Sequence, residues 1–245
     1  MTQRNLRAAV LMYAILLVKQ ILVWFVLYRV AGYSMTTLTI AQGLTLAIGV
    51  LFLLLYRLGR SVGIGLRRLV EGTIGLAVAY AVLLGILLLA RVLEPGLVLF
   101  RESYSIPAFL NNWILTGVAE ELVFAGVLFT LLARLRPRRI WPLVVVVALL
   151  FGLWHVPGAV AVAVSRGGSG AGVLGQVAIP LVSWCFFGSI YLLSGNLWLT
   201  AFVHASTDYA LLPAIVNRPL FGLVFMVISL GIAWWLGTRR PSRAD

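Results

Sequence analysis

Eight apolar runs, at roughly 8–30, 37–56, 71–92, 107–133, 140–164, 173–194, 196–213 and 219–237, fill most of the 245-residue chain and leave it little choice of solvent. A helix that crosses a bilayer needs about 20 mostly apolar residues, because the hydrocarbon core is about 30 Å thick and each residue rises about 1.5 Å. The runs are of that length. The chain is 62% hydrophobic and 11% charged, whereas a soluble domain is about half apolar and about a quarter charged. The expected fold is therefore all-α. Residues 1–245 should form a single polytopic membrane domain of about eight transmembrane helices, with no room for a soluble second domain. The lipid bilayer is the first partner this composition implies.

The net charge of +12 comes from arginine, with Lys19 the only lysine. So basic a soluble protein would suggest nucleic acid, but these arginines form no single patch, and no nucleic acid is expected. They stand at the ends of apolar runs, where positive charge holds loops on the cytoplasmic face. With the N-terminus cytoplasmic, that face carries Arg4, Arg7, Arg57, Arg60, Arg67, Arg68, Arg134, Arg136, Arg138, Arg139, Arg239, Arg240 and Arg243. The other face has Arg29, Arg91, Arg101, Arg166 and Arg218. Thirteen against five favours N- and C-termini both cytoplasmic, which requires an even number of spans. The first run is too long for a signal-peptide core and reads as a retained helix. Ser165–Gly175, with five glycines, reads as a flexible outer loop, and Glu94–Pro107 as an outer segment lying along the membrane surface. Cys185 is the only cysteine, so there is neither an intramolecular disulfide nor a thiolate metal cluster. Trp113, Trp141, Trp198, Trp234 and Trp235 fit interfacial belts. The preference for arginine over lysine suits a GC-rich bacterial genome, and hence a bacterial plasma membrane.

Of the seven acids, Glu120, Glu121 and Asp208 lie inside the apolar runs, as do both histidines, His155 and His204. An ionisable group at mid-bilayer costs at least ~2.5 kcal/mol on insertion scales and by default marks function. Five such groups in three helices would be a costly accident. His204 and Asp208 are four residues apart and so share a helix face. Glu120 and Glu121 are adjacent and point about 100° apart, so one of them is expected to face a shared site directly. Pro157, two residues after His155, should kink the fifth helix or end a turn there.

Buried carboxylate and imidazole support more than one chemistry. The carboxylate can take a proton from water while imidazole stabilises an oxyanion. Glu120, His155 and His204 are also a sufficient zinc set with one coordination position left open, so zinc and a metal-free site both fit. The plain alternative is a hydrogen-bonded cluster that joins helices.

In order, the polar residues read Glu120-Glu121-Leu-Val-Phe-Ala-Gly126, Phe151-Gly-Leu-Trp-His155 and His204-Ala-Ser-Thr-Asp208. This set resembles the CPBP family, the intramembrane proteases related to the prenyl-protein (CAAX) endopeptidases and to bacteriocin-processing and immunity proteins. Its motifs are EExxxR, FxxxH and HxxxN/D, each on its own helix, and the resemblance covers about 107–213. It implies that Glu120 is the general base for the hydrolytic water and that His155 positions that water. His204 and Asp208 would stabilise the oxyanion, with Glu121 in support. Asp208 would then either carry a proton in a buried setting or orient His204. The chain departs from the pattern at Ala125, where the motif has arginine. Glu121 thereby loses its expected partner, and Lys19, the one basic residue deep inside a run, is the candidate replacement.

The function so implied is an intramembrane endopeptidase acting on a peptide or membrane-protein substrate. Two rivals remain. The first is a non-catalytic membrane immunity or scaffold protein of the same fold, which Ala125 favours. The second is a proton-coupled transporter, since buried acids and histidines also relay protons. Transporters are commonly built from paired repeats, whereas all five polar groups here fall between residues 120 and 208. Oligomeric state is left open by the sequence, and a bacterial host argues against prenylated substrates.

Overall fold

The computed structural model describes residues 2–135, 140–166 and 169–239. Seven of its helices are long and apolar enough to cross a membrane. They are α1 (Gln3–Ala31), α2 (Met35–Leu55), α3 (Leu66–Leu93), α4 (Ile106–Ala133), α5 (Trp141–Ser165), α6 (Gly170–Ser194) and α8 (Pro219–Thr238). No strand occurs among the described residues. The chain is an all-α, multi-pass membrane protein.

The expected eighth span at 196–213 is shorter than its apolar run. α7 covers Leu197–Asp208, 12 residues, which rise about 18 Å. The polypeptide nevertheless passes from one end of the bundle to the other. At the near end Asn196 donates from Nδ2 to the Arg68 carbonyl at 2.8 Å. At the far end Ser105 N donates to Tyr209 Oη at 2.8 Å, Arg101 Nε to the Ala210 carbonyl at 3.1 Å, and Tyr104 Oη to the Leu211 carbonyl at 2.7 Å. Chain direction therefore reverses at every step, as eight passages require. The first and last described residues lie toward the near end: Arg4 stands 5.6 Å from the Tyr56 ring, and Arg239 lines a cleft with Arg67 and Arg68.

Local sequence explains most boundaries. Ser34 and Thr37 form a reciprocal capping box at the start of α2, which satisfies two otherwise orphaned backbone donors. Ser105, followed by Pro107, caps α4, and Asn196 caps α7 by accepting from Leu199 N at 3.1 Å. Ser169 caps α6, so that helix begins at Gly170 and the glycine-rich stretch is largely helical. The expected loop at 165–175 is thus shorter, and its residues 167 and 168 lie outside those described. Pro157 does not end α5, which runs unbroken from Trp141 to Arg166. Glu94–Pro107 is more than a surface strip: Leu97 and Leu99 are buried, and the polar contacts above anchor it over the end of α7.

α4 lies at the centre. In its apolar window 83% of residues are buried, against 22–50% for the other six long helices. Lipid tails are as apolar as leucine, so such a helix is held by close packing and polar contacts rather than by the hydrophobic effect. Trp154, Trp184, Phe151 and Phe187 supply the bulk around it, and Phe124 of α4 itself packs against Phe151 and Trp154. Trp113, expected at a membrane interface, is also core: it is buried and donates from Nε1 to the Tyr209 carbonyl at 3.0 Å. Trp141, Trp234 and Trp235 stay on the outer surface.

Candidate active site

The acid pair sits on the one ordinary α-helical turn in the middle of α4. That turn, Gly117–Glu121, is flanked by the wider π-helical stretches Asn111–Thr116 and Leu122–Phe129. π-turns occur often at functional sites, where they re-aim side chains. One turn before the acids, α4 and α7 come into backbone contact. A Cβ on Gly117 would stand 2.7 Å from the Ala201 carbonyl oxygen and 2.9 Å from Ala205 Cβ. Only glycine allows this approach, and it brings His204 over the pair.

His204 is the centre of the cluster. Its Nδ1 lies 2.8 Å from Glu121 Oε1. Its Nε2 lies 3.4 Å from Asp208 Oδ2 and 3.9 Å from Glu120 Oε2. Both members of the acid pair therefore address the site, contrary to the expectation that one alone would face it. The side chains diverge, but the imidazole stands between them with a nitrogen toward each. Phe187 of α6 stacks on the His204 ring at 4.5 Å and 16°, fixing its plane. Glu120, Glu121 and His204 are buried, Glu121 completely. Asp208 is not: it ends α7 with its side chain 34% exposed. The expectation of a deeply buried Asp208 is corrected by the early end of the helix, which leaves this residue at an open edge. It keeps its i to i+4 contact with His204 there.

His155 approaches from α5. Its Nδ1 is 2.8 Å from the Phe151 carbonyl oxygen. A carbonyl can only accept, so Nδ1 carries the proton, and in the neutral ring Nε2 is an acceptor. The Phe151 ring touches both imidazoles, 4.6 Å from His155 and 6.0 Å from His204. The FxxxH spacing thus does two things: Phe151 separates the histidines, and its backbone sets the tautomer of the second.

Three further residues complete the surroundings. Gln42 of α2, buried and unremarked in the sequence, donates from Nε2 to Glu120 Oε1 at 2.9 Å. Lys19 of α1 donates to Gln20 Oε1 at 3.0 Å and Thr45 Oγ1 at 2.8 Å, and lies 5.2 Å from the Trp154 ring. Lys19 is therefore not the partner of Glu121, as the sequence suggested; that partner is His204. Ala125 is fully buried in the core, so the motif's arginine position is filled by packing. Lys19→Ala is expected to lower stability by about 2 kcal/mol, since hydrogen bonds from a charged donor contribute about 1.5–3. Lys19→Arg keeps the charge and should cost clearly less by thermal denaturation; equal, small losses would remove Lys19 from the cluster.

Among the described residues no group of three or more His, Cys, Asp and Glu side chains is arranged as a ready-made metal site. The arrangement does suit proton transfer. His204 Nε2 and Asp208 Oδ2 stand 3.4 Å apart, at ion-pair distance, and Nδ1 is engaged by Glu121.

Neither a curated protein nor a solved structure matches the chain. Residues 102–210, rather less than half of it, match the family model described as Type II CAAX prenyl endopeptidase Rce1-like. That stretch runs from the anchored outer segment to the end of α7 and holds all three motifs. Residues 102–210 are thus similar to a family model of CAAX-type prenyl endopeptidases, over the stretch in which Glu120, Glu121, His155, His204 and Asp208 all lie.

Proposed function

We propose that the protein is an intramembrane endopeptidase in which Glu120 activates the hydrolytic water. The carrying observation is that Glu120 Oε2 faces the Nε2 edge of His204 while Oε1 is held by Gln42. One oxygen is fixed and the other is left for chemistry. Glu120 takes a proton from water, whose oxygen forms a bond to the scissile carbonyl carbon. His204, carrying its second proton on Nε2, stabilises the oxyanion, and Asp208 steers that imidazole. The C–N bond then breaks, and the proton held by Glu120 passes to the leaving nitrogen. His155, with Nε2 as acceptor, orients the water. Glu121 is a positioning residue that holds His204 through Nδ1. The cycle as proposed is written with these side chains alone. The substrate is a peptide or membrane-protein segment. The arginine-rich end, with both chain termini, faces the cytoplasm of a bacterial plasma membrane.

Ala125 is the observation behind a second reading, a non-catalytic member of the same fold. Cleavage of a broad set of membrane peptides by the detergent-purified protein, read by mass spectrometry, separates the two. Products are expected from the wild type, not from His155→Ala, and undiminished by a strong chelator. Loss of products with chelator would show that a metal completes the site. A folded wild type that cleaves nothing would favour the non-catalytic reading.

A further inference from the structure

We propose that the cleft between α3 and α8 holds one anionic glycerophospholipid, with its phosphate at the arginine-rich end of the bundle. The cleft has a volume of about 740 Å³ and no part in the catalytic cluster. Its rim carries Arg67, Arg68 and Arg239 around a single acid, Glu71. Glu71 is taken up by Arg67 Nε at 2.8 Å and Arg68 at 2.9 Å. Three cations against one anion leave the rim with a surplus of two positive charges. Arg239 stacks 3.8 Å from the centre of the Trp235 ring, and Trp235 stands at the outer surface as an interfacial tryptophan does.

Below the rim the walls are wholly apolar, formed by Ile74 and Val78 of α3 and by Ile228 and Ile232 of α8. The two walls have the same depth. Arg67 to Val78 and Ile228 to Arg239 each span 11 residues (78 − 67 and 239 − 228), or about 16 Å of helix. That is about half of the ~30 Å hydrocarbon core, one leaflet. A charged mouth above an apolar slot one leaflet deep matches a phosphate above acyl chains. Clusters of arginine between transmembrane helices are suited to anionic headgroups.

Glycines fix where the slot opens. Gly75 lets the helices touch, since a Cβ there would meet Ile232 Cγ2 at 3.0 Å. Gly231 has a different role: a Cβ on it would meet nothing within 4 Å. Gly231 leaves depth in the cleft, and a larger side chain can be placed there without disturbing the helix contact.

The test uses the full chain purified in mild detergent, with retained lipid counted by native mass spectrometry and phosphate analysis. Thermal stability is then followed on adding phosphatidylglycerol or phosphatidylcholine. The wild type should retain about one anionic lipid per chain and be stabilised selectively by phosphatidylglycerol. Gly231→Leu, which fills the slot, and the double variant Arg67→Gln/Arg239→Gln, which neutralises the rim, should each retain about tenfold less. Arg91→Gln, at the other end of α3, should behave as wild type. Equal retention of phosphatidylcholine, no retained lipid, or variants indistinguishable from wild type would overturn the proposal. A peptide recovered from the cleft in place of lipid would also overturn it and point to a substrate subsite. None of these readings depends on catalysis, so failure of the protease assignment leaves this result intact.

Discussion

Glu120→Gln should lower the cleavage rate by about 10²–10⁴-fold, the range that a positioned general base contributes, while leaving the protein folded. Glutamine has the shape of glutamate, and its carbonyl oxygen can still accept the Gln42 bond that now holds Oε1 at 2.9 Å. What it cannot do is take a proton from water. The comparison that gives this result meaning is Glu121→Gln. There the amide oxygen still accepts from His204 Nδ1, so the imidazole stays in place and the rate should fall far less. Rates from product formation and melting temperatures, measured on both variants, check the assignment. A larger loss from Glu121→Gln than from Glu120→Gln would exchange the roles of the two acids.

The largest effect on stability is expected at the buried pair Glu121–His204. Glu121 is completely buried and its Oε1 meets Nδ1 at 2.8 Å. Removing one partner of such a pair strands the other in a low-dielectric interior, at a cost of about 3–5 kcal/mol, while replacing both with apolar groups is often nearly neutral. Glu121→Met and His204→Phe should therefore each destabilise strongly. His204→Phe keeps an aromatic ring against Phe187, so its loss reports the polar contact rather than packing. The double variant should be more stable than either single one. Denaturation of the four proteins gives the coupling directly, and simply additive losses would show that the two side chains do not act as a pair.

Much of this was legible in the sequence, and its limits are instructive. The i to i+4 spacing of His204 and Asp208 predicted their contact because a helix fixes it locally. The apolar lengths predicted the long helices for the same reason. Glu121 was assigned a partner from the wrong helix. Lys19 and His204 are both buried bases, and nothing local states which helix lies against which face of α4. Gln42 was passed over because a single amide in an apolar run has no spacing to betray its partner, although any buried polar group must find one. The run at 196–213 was taken as one helix, yet Pro213 stands at its end and the helix stops at Asp208. Ala210 and Leu212 are buried without being helical. Apolar composition reports burial; it does not distinguish a helix from irregular backbone whose carbonyls are satisfied by Arg101 and Tyr104.

The shortness of α7 bears on how hydrolysis is supplied in a hydrophobic medium. Its last residue is both the most exposed member of the cluster and a direct neighbour of His204. The polar centre therefore reaches the surface at the place where α7 stops. Reactant supply and helix length become a single variable. For the proposed hydrolysis, two extra turns inserted before Tyr209 should keep every acid and base described above and yet cover Asp208, so that access of water to the cluster rests as much on an early helix stop as on any side chain.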